Sequence, residues 1–353
     1  MTLRITAMTL ALLAGLATSG VAQDAAVAIT PAEWTAYQAG FVTPEGRVVD
    51  TGNKDISHSE GQGYGLLLSV LAQDRASFDR ILAFTRDELL VRDDGLAAWR
   101  WDPATEPHVA DTNNATDGDI LIAYALAQGG LSWQDSALTE QATAMVRTIG
   151  LTMLAKAEGQ TVILPGEFGF SAAERDDGPI VNPSYWVYEA MPLFATLTPD
   201  IDWRAVAASG LELLSPMRAT RAGLPSDWMA LGKGQPEPAE GFPPEFGYNS
   251  IRIPLYLMRA NADAKYLAGF TTMGDAEGLD RVDVTTDITQ ERLVEPGYRL
   301  IKAALDCTLS GTPIPAELQT LTASTYYAAT LQLLLLDHLR RNQSRCLSTE
   351  TSP

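Results

Sequence analysis

The feature that most restricts the fold of this chain is a junction that recurs along it. A polar loop carrying carboxylates and aromatic rings runs directly into an apolar, helix-periodic segment. The first such junction is Val48-Val-Asp-Thr-Gly-Asn-Lys-Asp-Ile-Ser-His-Ser-Glu-Gly-Gln-Gly-Tyr-Gly65, followed at once by Leu66-Leu-Leu-Ser-Val-Leu-Ala72. It gathers Asp50, Lys54, Asp55, His58, Glu60 and Gln62. A polar cluster that opens into a buried helix sits at the helix mouth, facing a cavity or solvent. Glu60 stands at the start of the apolar run and is therefore expected to be half buried. A half-buried carboxyl keeps its proton to higher pH, as a general acid must. The plain alternative is that Ser57 or Ser59 caps the helix and Glu60 only complements its positive end.

The same pattern returns in Ala110-Asp-Thr-Asn-Asn-Ala-Thr-Asp-Gly-Asp-Ile-Leu-Ile-Ala-Tyr-Ala125, where Asp111, Asp117 and Asp119 cluster before an apolar face. Thr116 or Asp117 also reads as an ordinary N-cap there. Further junctions are Ile180-Val-Asn-Pro-Ser-Tyr-Trp-Val-Tyr188, Gly223-Leu-Pro-Ser-Asp-Trp-Met229 and Glu245-Phe-Gly-Tyr-Asn-Ser-Ile-Arg-Ile253, with Ala97-Ala-Trp-Arg-Trp101 between the first two motifs. Helical periodicity dominates throughout, over 31–41 (Thr30 as cap, Pro31 at the first position), 76–90, 117–128, 137–158, 184–197, 202–214, 249–261, 263–270 and 315–341. The best strand-like run is 159–165. About ten to twelve helices, with no Ser/Thr/Pro linker, indicate a mostly helical single domain. The stretch 232–245 is a long proline-glycine loop, and loops of that length inside a compact domain are commonly functional or disordered.

The first residues have the layout of a secretory leader: Arg4, an apolar run from Ile5 to Leu16, then small residues to Ala22. Residues 1–22 are therefore set apart from the fold, 23–353 are taken as the mature domain, and the chain is expected in the periplasm or outside the cell. The apolar run is too short for a membrane span, and no other stretch qualifies. With 44 acidic and 25 basic residues the net charge is −19, which repels a phosphate backbone and excludes nucleic acid as a partner. The two cysteines, Cys307 and Cys346, are free to pair in an oxidising compartment if their geometry permits. With His58, His108 and His338 as the only histidines, no metal-ligand spacing exists, and no metal or other cofactor is expected.

Paired carboxyls beside aromatic rings, in an acidic exported chain, point to glycoside hydrolysis, because flat sugar faces pack on aromatic rings and carboxylates bind hydroxyls. Five motifs then resemble glycoside hydrolase family 8, in the family's order and across nearly the whole mature chain: Ser59-Glu-Gly-Gln-Gly-Tyr-Gly65, Ala115-Thr-Asp-Gly-Asp119 with Ile122-Ala-Tyr-Ala125, Asn182-Pro-Ser-Tyr185, Ser226-Asp-Trp228 and Tyr248-Asn-Ser-Ile-Arg252. Within the family the likeness is to periplasmic endo-β-1,4-glucanases encoded with bacterial cellulose synthases. The resemblance implies an all-α (α/α)6 barrel, six inner and six outer helices with a cleft at the helix-start end. It also implies an inverting, cofactor-free endoglucanase acting on a β-glucan chain, with the cellulose synthase machinery as a further partner. Related substrates (chitosan, xylan, mixed-linkage glucan) and a non-catalytic glucan-binding role are the alternatives.

Carried over position by position, Glu60 matches the general acid and Asp117 the carboxylate that holds the sugar at the cleavage point. Tyr185 and Arg252 match residues lining that subsite. Trp99 and Trp228 look like stacking residues, and Asp55, Tyr248 and Asn249 complete the substrate-binding candidates. The glycines after Glu60 are expected to let the glucan approach the backbone. One position departs from the pattern. Asn249 stands where many members have the aspartate that serves as general base, and an amide cannot take a proton. Other members draw the base from a glutamate in the preceding loop, which makes Glu240 the expected base here, with Glu237, Glu245 and Asp117 as rivals.

Overall fold

The structure is a computed structural model that describes residues 28–214 and 220–347; the leader-like segment lies outside the described residues. Eleven α-helices occur among them: α1 (Pro31–Phe41), α2 (Ser59–Leu71), α3 (Arg75–Phe84), α4 (Thr116–Trp133), α5 (Ser136–Thr152), α6 (Met191–Leu197), α7 (Trp203–Leu213), α8 (Ile253–Arg259), α9 (Ala264–Leu267), α10 (Pro296–Ser310) and α11 (Tyr326–Asn342). The entry to α1 is as expected, with Thr30 and Glu33 forming a reciprocal capping box ahead of Pro31.

Two kinds of helix are present. In α2 every residue from Gly61 to Val70 is buried, as are Thr116 to Ala127 of α4, Ile253 to Met258 of α8 and Ala328 to Leu339 of α11. Helices apolar all round belong in the interior. By contrast α3 buries Phe78, Ile81 and Leu82, α5 buries Leu138, Met145, Val146 and Ile149, and α7 buries Val206, Gly210 and Leu213, each a single stripe. These amphipathic helices cover the buried set, and one apolar core runs from Ile29 to Cys346.

Glycine sets the closest helix contact. A Cβ on Gly63 of α2 would lie 2.6 Å from Leu121 Cβ of α4, and one on Gly118 of α4 would lie 2.7 Å from the Glu60 nitrogen. Both are far inside contact distance, so only glycine lets the starts of α2 and α4 touch. This corrects the expected role of the glycines after Glu60. Gly61 faces His58 and Tyr326, and Gly65 faces Val48 and Ile81, so they admit neighbouring protein, not substrate.

Other departures have local causes. The run 137–158 stops being helical at Thr152, and Leu154–Ala157 pairs with Gln160–Ile163 as a hairpin across Glu158-Gly159, both at positive φ. The run 184–197 is broken into short turns before α6, and Pro192 sits in the first turn of that helix. The long loop 232–245 is tied down near its middle and at its end: Glu237–Pro238 pairs with Met229–Ala230, and Glu245–Phe246 pairs with Val282–Asp283. The sequence reading missed α10 altogether. Its signals are Pro296 at the first helical position and a stripe of Tyr298, Ile301, Leu305. No helix among the described residues is long and apolar enough to cross a membrane.

Cys307, on α10, is bonded to Cys346, beyond the end of α11, closing a loop of 39 residues. A bridge over such a loop contributes about 2–4 kcal/mol by restricting the unfolded chain. Replacing Cys307 and Cys346 together by Ser is expected to lower Tm by roughly 3–6 °C in scanning calorimetry. The variant's Tm should no longer respond to dithiothreitol; a double variant that melts with the oxidised wild type would refute a stabilising role for the bridge.

Candidate active site

Six helix starts open into one cleft of about 580 Å³. α2 brings His58 and Glu60, α4 brings Asp117, and the turn Pro183–Tyr185 brings Tyr185. The turn Ser250–Arg252 ahead of α8 brings Asn249 and Arg252, α10 brings Glu295 and Tyr298, and α11 brings Thr325 and Tyr327. Asp50, Trp99 and Tyr248 complete the walls.

Arg252 is the centre. It is 1% exposed; Nη1 bonds Glu60 Oε1, Nη2 donates to Asp117 Oδ2 at 2.6 Å and also to Ser184 Oγ at 3.0 Å. The starts of α2, α4 and α8 thus meet on one guanidinium. Behind it the hydroxyls of Tyr64 on α2 and Tyr256 on α8 are hydrogen-bonded to each other. Asp117 also accepts from Gly118 N at 2.8 Å, and the Tyr185 phenol lies against it. Burial pushes the Asp117 carboxyl up to about 6, with Arg252 opposing and the charge of Glu60 adding to the rise. The N-cap of α4 is Ala115, so Asp117 is not the cap.

Nor is α2 capped by a serine. Its N-cap is His58, whose Nδ1 accepts from Gly61 N at 2.9 Å, while Ser57 Oγ donates to Val48 O at 2.6 Å. A neutral His58 therefore carries its proton on Nε2, which faces Asp50 Oδ2 at 3.4 Å. Glu60 Oε2 lies 3.9 Å from Nδ1. Burial disfavours the imidazolium, but the Asp50 hydrogen bond and the charges of Glu60, Asp50 and Asp117 outweigh it and raise the proton affinity of His58.

The cleft collects Glu60, Trp99, Asp117, Tyr185, Tyr248, Asn249 and Arg252 from the sequence candidates. Trp99 is half buried and donates from Nε1 to Asp111 Oδ2 at 2.8 Å. Asn249 donates from Nδ2 to the buried Asp227 Oδ2 at 3.3 Å, and Asp227 also accepts from Gly247 N and Ser250 N at 2.9 Å each. Three candidates lie elsewhere. Asp55 is exposed on a left-handed turn (φ 57°), and Asp50 holds the cleft position instead. Trp228 stands behind Tyr185, stacked between Phe170 and Phe242 at 5.6 and 4.7 Å. Glu240 has a side chain 73% exposed, paired with Lys233 at 3.2 Å. Its loop rivals are also engaged away from the cleft lining, Glu237 with Lys233 and Glu245 with Arg281. Sequence reasoning missed Glu295 and Tyr298 along with α10, and Tyr327 because 315–341 reads as one helix when α11 begins only at Tyr326. The pair Tyr326-Tyr327 at a helix start was the available signal.

The family model described as Glycosyl hydrolases family 8 matches residues 3–340. A probable endoglucanase of Novacetimonas hansenii is 38% identical over 328 residues, covering 91% of this chain and 94% of the relative. Among solved structures, the endoglucanase Cel10 of Klebsiella pneumoniae superposes with a TM-score of 0.79 at 34% identity, over 88% of this chain and 100% of that one. The endo-β-1,4-glucanase CMCax of Acetobacter xylinum gives 0.78 at 36% identity, over 89% and 98%.

Close to the site, the wholly buried Asp119 accepts from Ala97 N at 2.8 Å and Asn114 Nδ2 at 2.9 Å, fixing the segment that leads to Trp99. Burial, partly offset by these hydrogen bonds, pushes its carboxyl from 3.8 up to about 7. The folded chain therefore keeps this proton where the unfolded chain has released it. The stabilisation is fully present below about pH 4 and is lost as pH rises through about 7. Asp119→Asn, which cannot ionise, should lose less Tm than the wild type across that window in calorimetry. A constant difference between the two proteins over the whole window would contradict it.

Proposed function

The chain belongs to glycosyl hydrolase family 8, and from that premise we propose that it is an inverting endo-β-1,4-glucanase exported to the periplasm or beyond. The chain is a glycoside hydrolase; bond specificity, stereochemistry and setting are the proposal. The observation that carries it is the pairing of Glu60 and Asp117 on Arg252, in a cleft walled by Trp99, Tyr185 and Tyr248. Six helix starts converging on that cleft, with all-round-buried helices inside and amphipathic ones outside, support the (α/α)6 barrel.

In this reading Glu60 protonates the glycosidic oxygen as the bond to the anomeric carbon breaks. A water attacks from the opposite face, so a β-linkage yields an α-configured product. Asp117, Arg252 and Tyr185 grip the sugar at the cleavage point, and Trp99 stacks a neighbouring sugar. The endoglucanase names of the relatives support β-1,4-glucan as substrate. The leader-like residues 1–22 favour an exported enzyme, and the resemblance to glucanases encoded with cellulose synthases is the support for a role in trimming glucan beside one.

Glu60→Gln removes the proton while keeping shape. It is expected to cut turnover of cellopentaose about 10³-fold. Wild-type hydrolysis followed by proton NMR should release the α-anomer first. Full activity in Glu60→Gln, or a β-anomer as first product, would refute the mechanism.

A further inference from the structure

Inversion needs a second carboxylate, one that takes a proton from the attacking water on the far face of the sugar. This inference rests on the inverting reading above. Asn249 cannot fill the role, because a carboxamide oxygen accepts a hydrogen bond but not a proton at working pH. The carboxylates lining the cleft are Asp50, Glu60, Asp117 and Glu295.

Two of the three partners for Glu60 are on its own wall. Asp117 and Glu60 sit on the two terminal nitrogens of one guanidinium, Asp117 Oδ2 at 2.6 Å from Nη2. Carboxylates held side by side in this way leave no room between them for a sugar and a water. Asp50 is separated from Glu60 by the His58 ring, 3.4 Å from one and 3.9 Å from the other. The imidazole fills the space that the sugar would need.

Glu295 differs. It comes from a separate helix start, that of α10, and is half buried at the cleft wall. Among the described residues no hydrogen bond or ion pair engages its carboxylate. Its charge acts on Tyr298 and on Tyr248, the residue immediately before Asn249. The free carboxylate therefore lines the same cleft as the position that lacks one.

We propose that Glu295 is the general base, acting on a water that the Asn249 carboxamide helps to hold. Glu295 takes one proton from the water as its oxygen bonds to the anomeric carbon. The glycosidic C–O bond breaks and its oxygen takes the proton of Glu60. One water is consumed, Glu295 ends protonated and Glu60 ionised, and exchange with solvent restores both.

The test compares the wild type, Glu60→Gln, Glu240→Ala, Glu295→Gln and Glu295→Gly on cellopentaose. Glu295→Gln is expected to lower kcat about 10³-fold with little change in KM and none in Tm, since the carboxylate has no partner to lose. The acid limb of its kcat/KM profile should vanish. Sodium azide should restore turnover in Glu295→Gly, giving an α-glycosyl azide visible by NMR. Wild-type kcat in Glu295→Gln, or a comparable loss in Glu240→Ala instead, overturns Glu295 and leaves the proposed function standing. A β-configured wild-type product overturns inversion and Glu295 together, and a wild type with no turnover overturns the function itself.

Discussion

Everything at the working end of this molecule depends on one buried guanidinium. Removing Arg252 from water is expensive, and its burial is tolerable only because two carboxylates and Ser184 Oγ receive its protons. Those carboxylates are in turn tolerable only because Arg252 is there: burial lifts Asp117 to about 6, and Arg252 opposes that rise while the charge of Glu60 adds to it. Apolar packing of equal volume would stabilise the same junction at least as well. An ionic knot placed where six helix starts open into a cleft is a mark of chemistry more than of stability.

The knot can form only if three helix starts come within the reach of one side chain. Gly63 and Gly118 let α2 and α4 touch, Asp227 gathers the amides that lead into α8, and the Tyr64–Tyr256 hydrogen bond closes α2 against α8 one turn deeper. His58 performs a related task on α2. By capping the helix through Nδ1 it fixes its own tautomer and the direction of Glu60 together. Capping, packing and placement of the acid are here the same set of contacts.

What the amino-acid sequence made legible follows from how local each signal is. Glu60, Asp117 and Arg252 lie in short motifs at helix starts, and a loop that runs into an apolar helix exposes its own geometry. Their convergence on the cleft was therefore readable residue by residue. Glu240 is expected as the base because other family members draw it from the preceding loop, and that likeness does not reveal that two short strand pairings and Lys233 hold this loop aside. Trp228 sits in a genuine motif, but the rings that cover it, Phe170 and Phe242, come from elsewhere in the chain. Glu295 was illegible for a plainer reason. The helix it precedes follows a strand hairpin with many exposed polar residues, and the 3.6-residue stripe in α10 was lost against that background.

The charge of the cleft then determines what can enter it. Asp50, Glu60, Asp117 and Glu295 face the cavity, and the terminal nitrogens of its one guanidinium are already bound, in a chain whose net charge is −19. A polysaccharide bearing carboxylates or sulfates meets like charge on approach and uncompensated charge on arrival. A neutral glucan brings only hydroxyl donors, which carboxylate oxygens accept well, and flat C–H faces, which Trp99, Tyr185 and Tyr248 can cover. Repulsion thus screens the polymer before contact, and aromatic stacking sets its register afterwards. The carboxylates that carry out the proposed hydrolysis are the same groups that exclude the wrong chain.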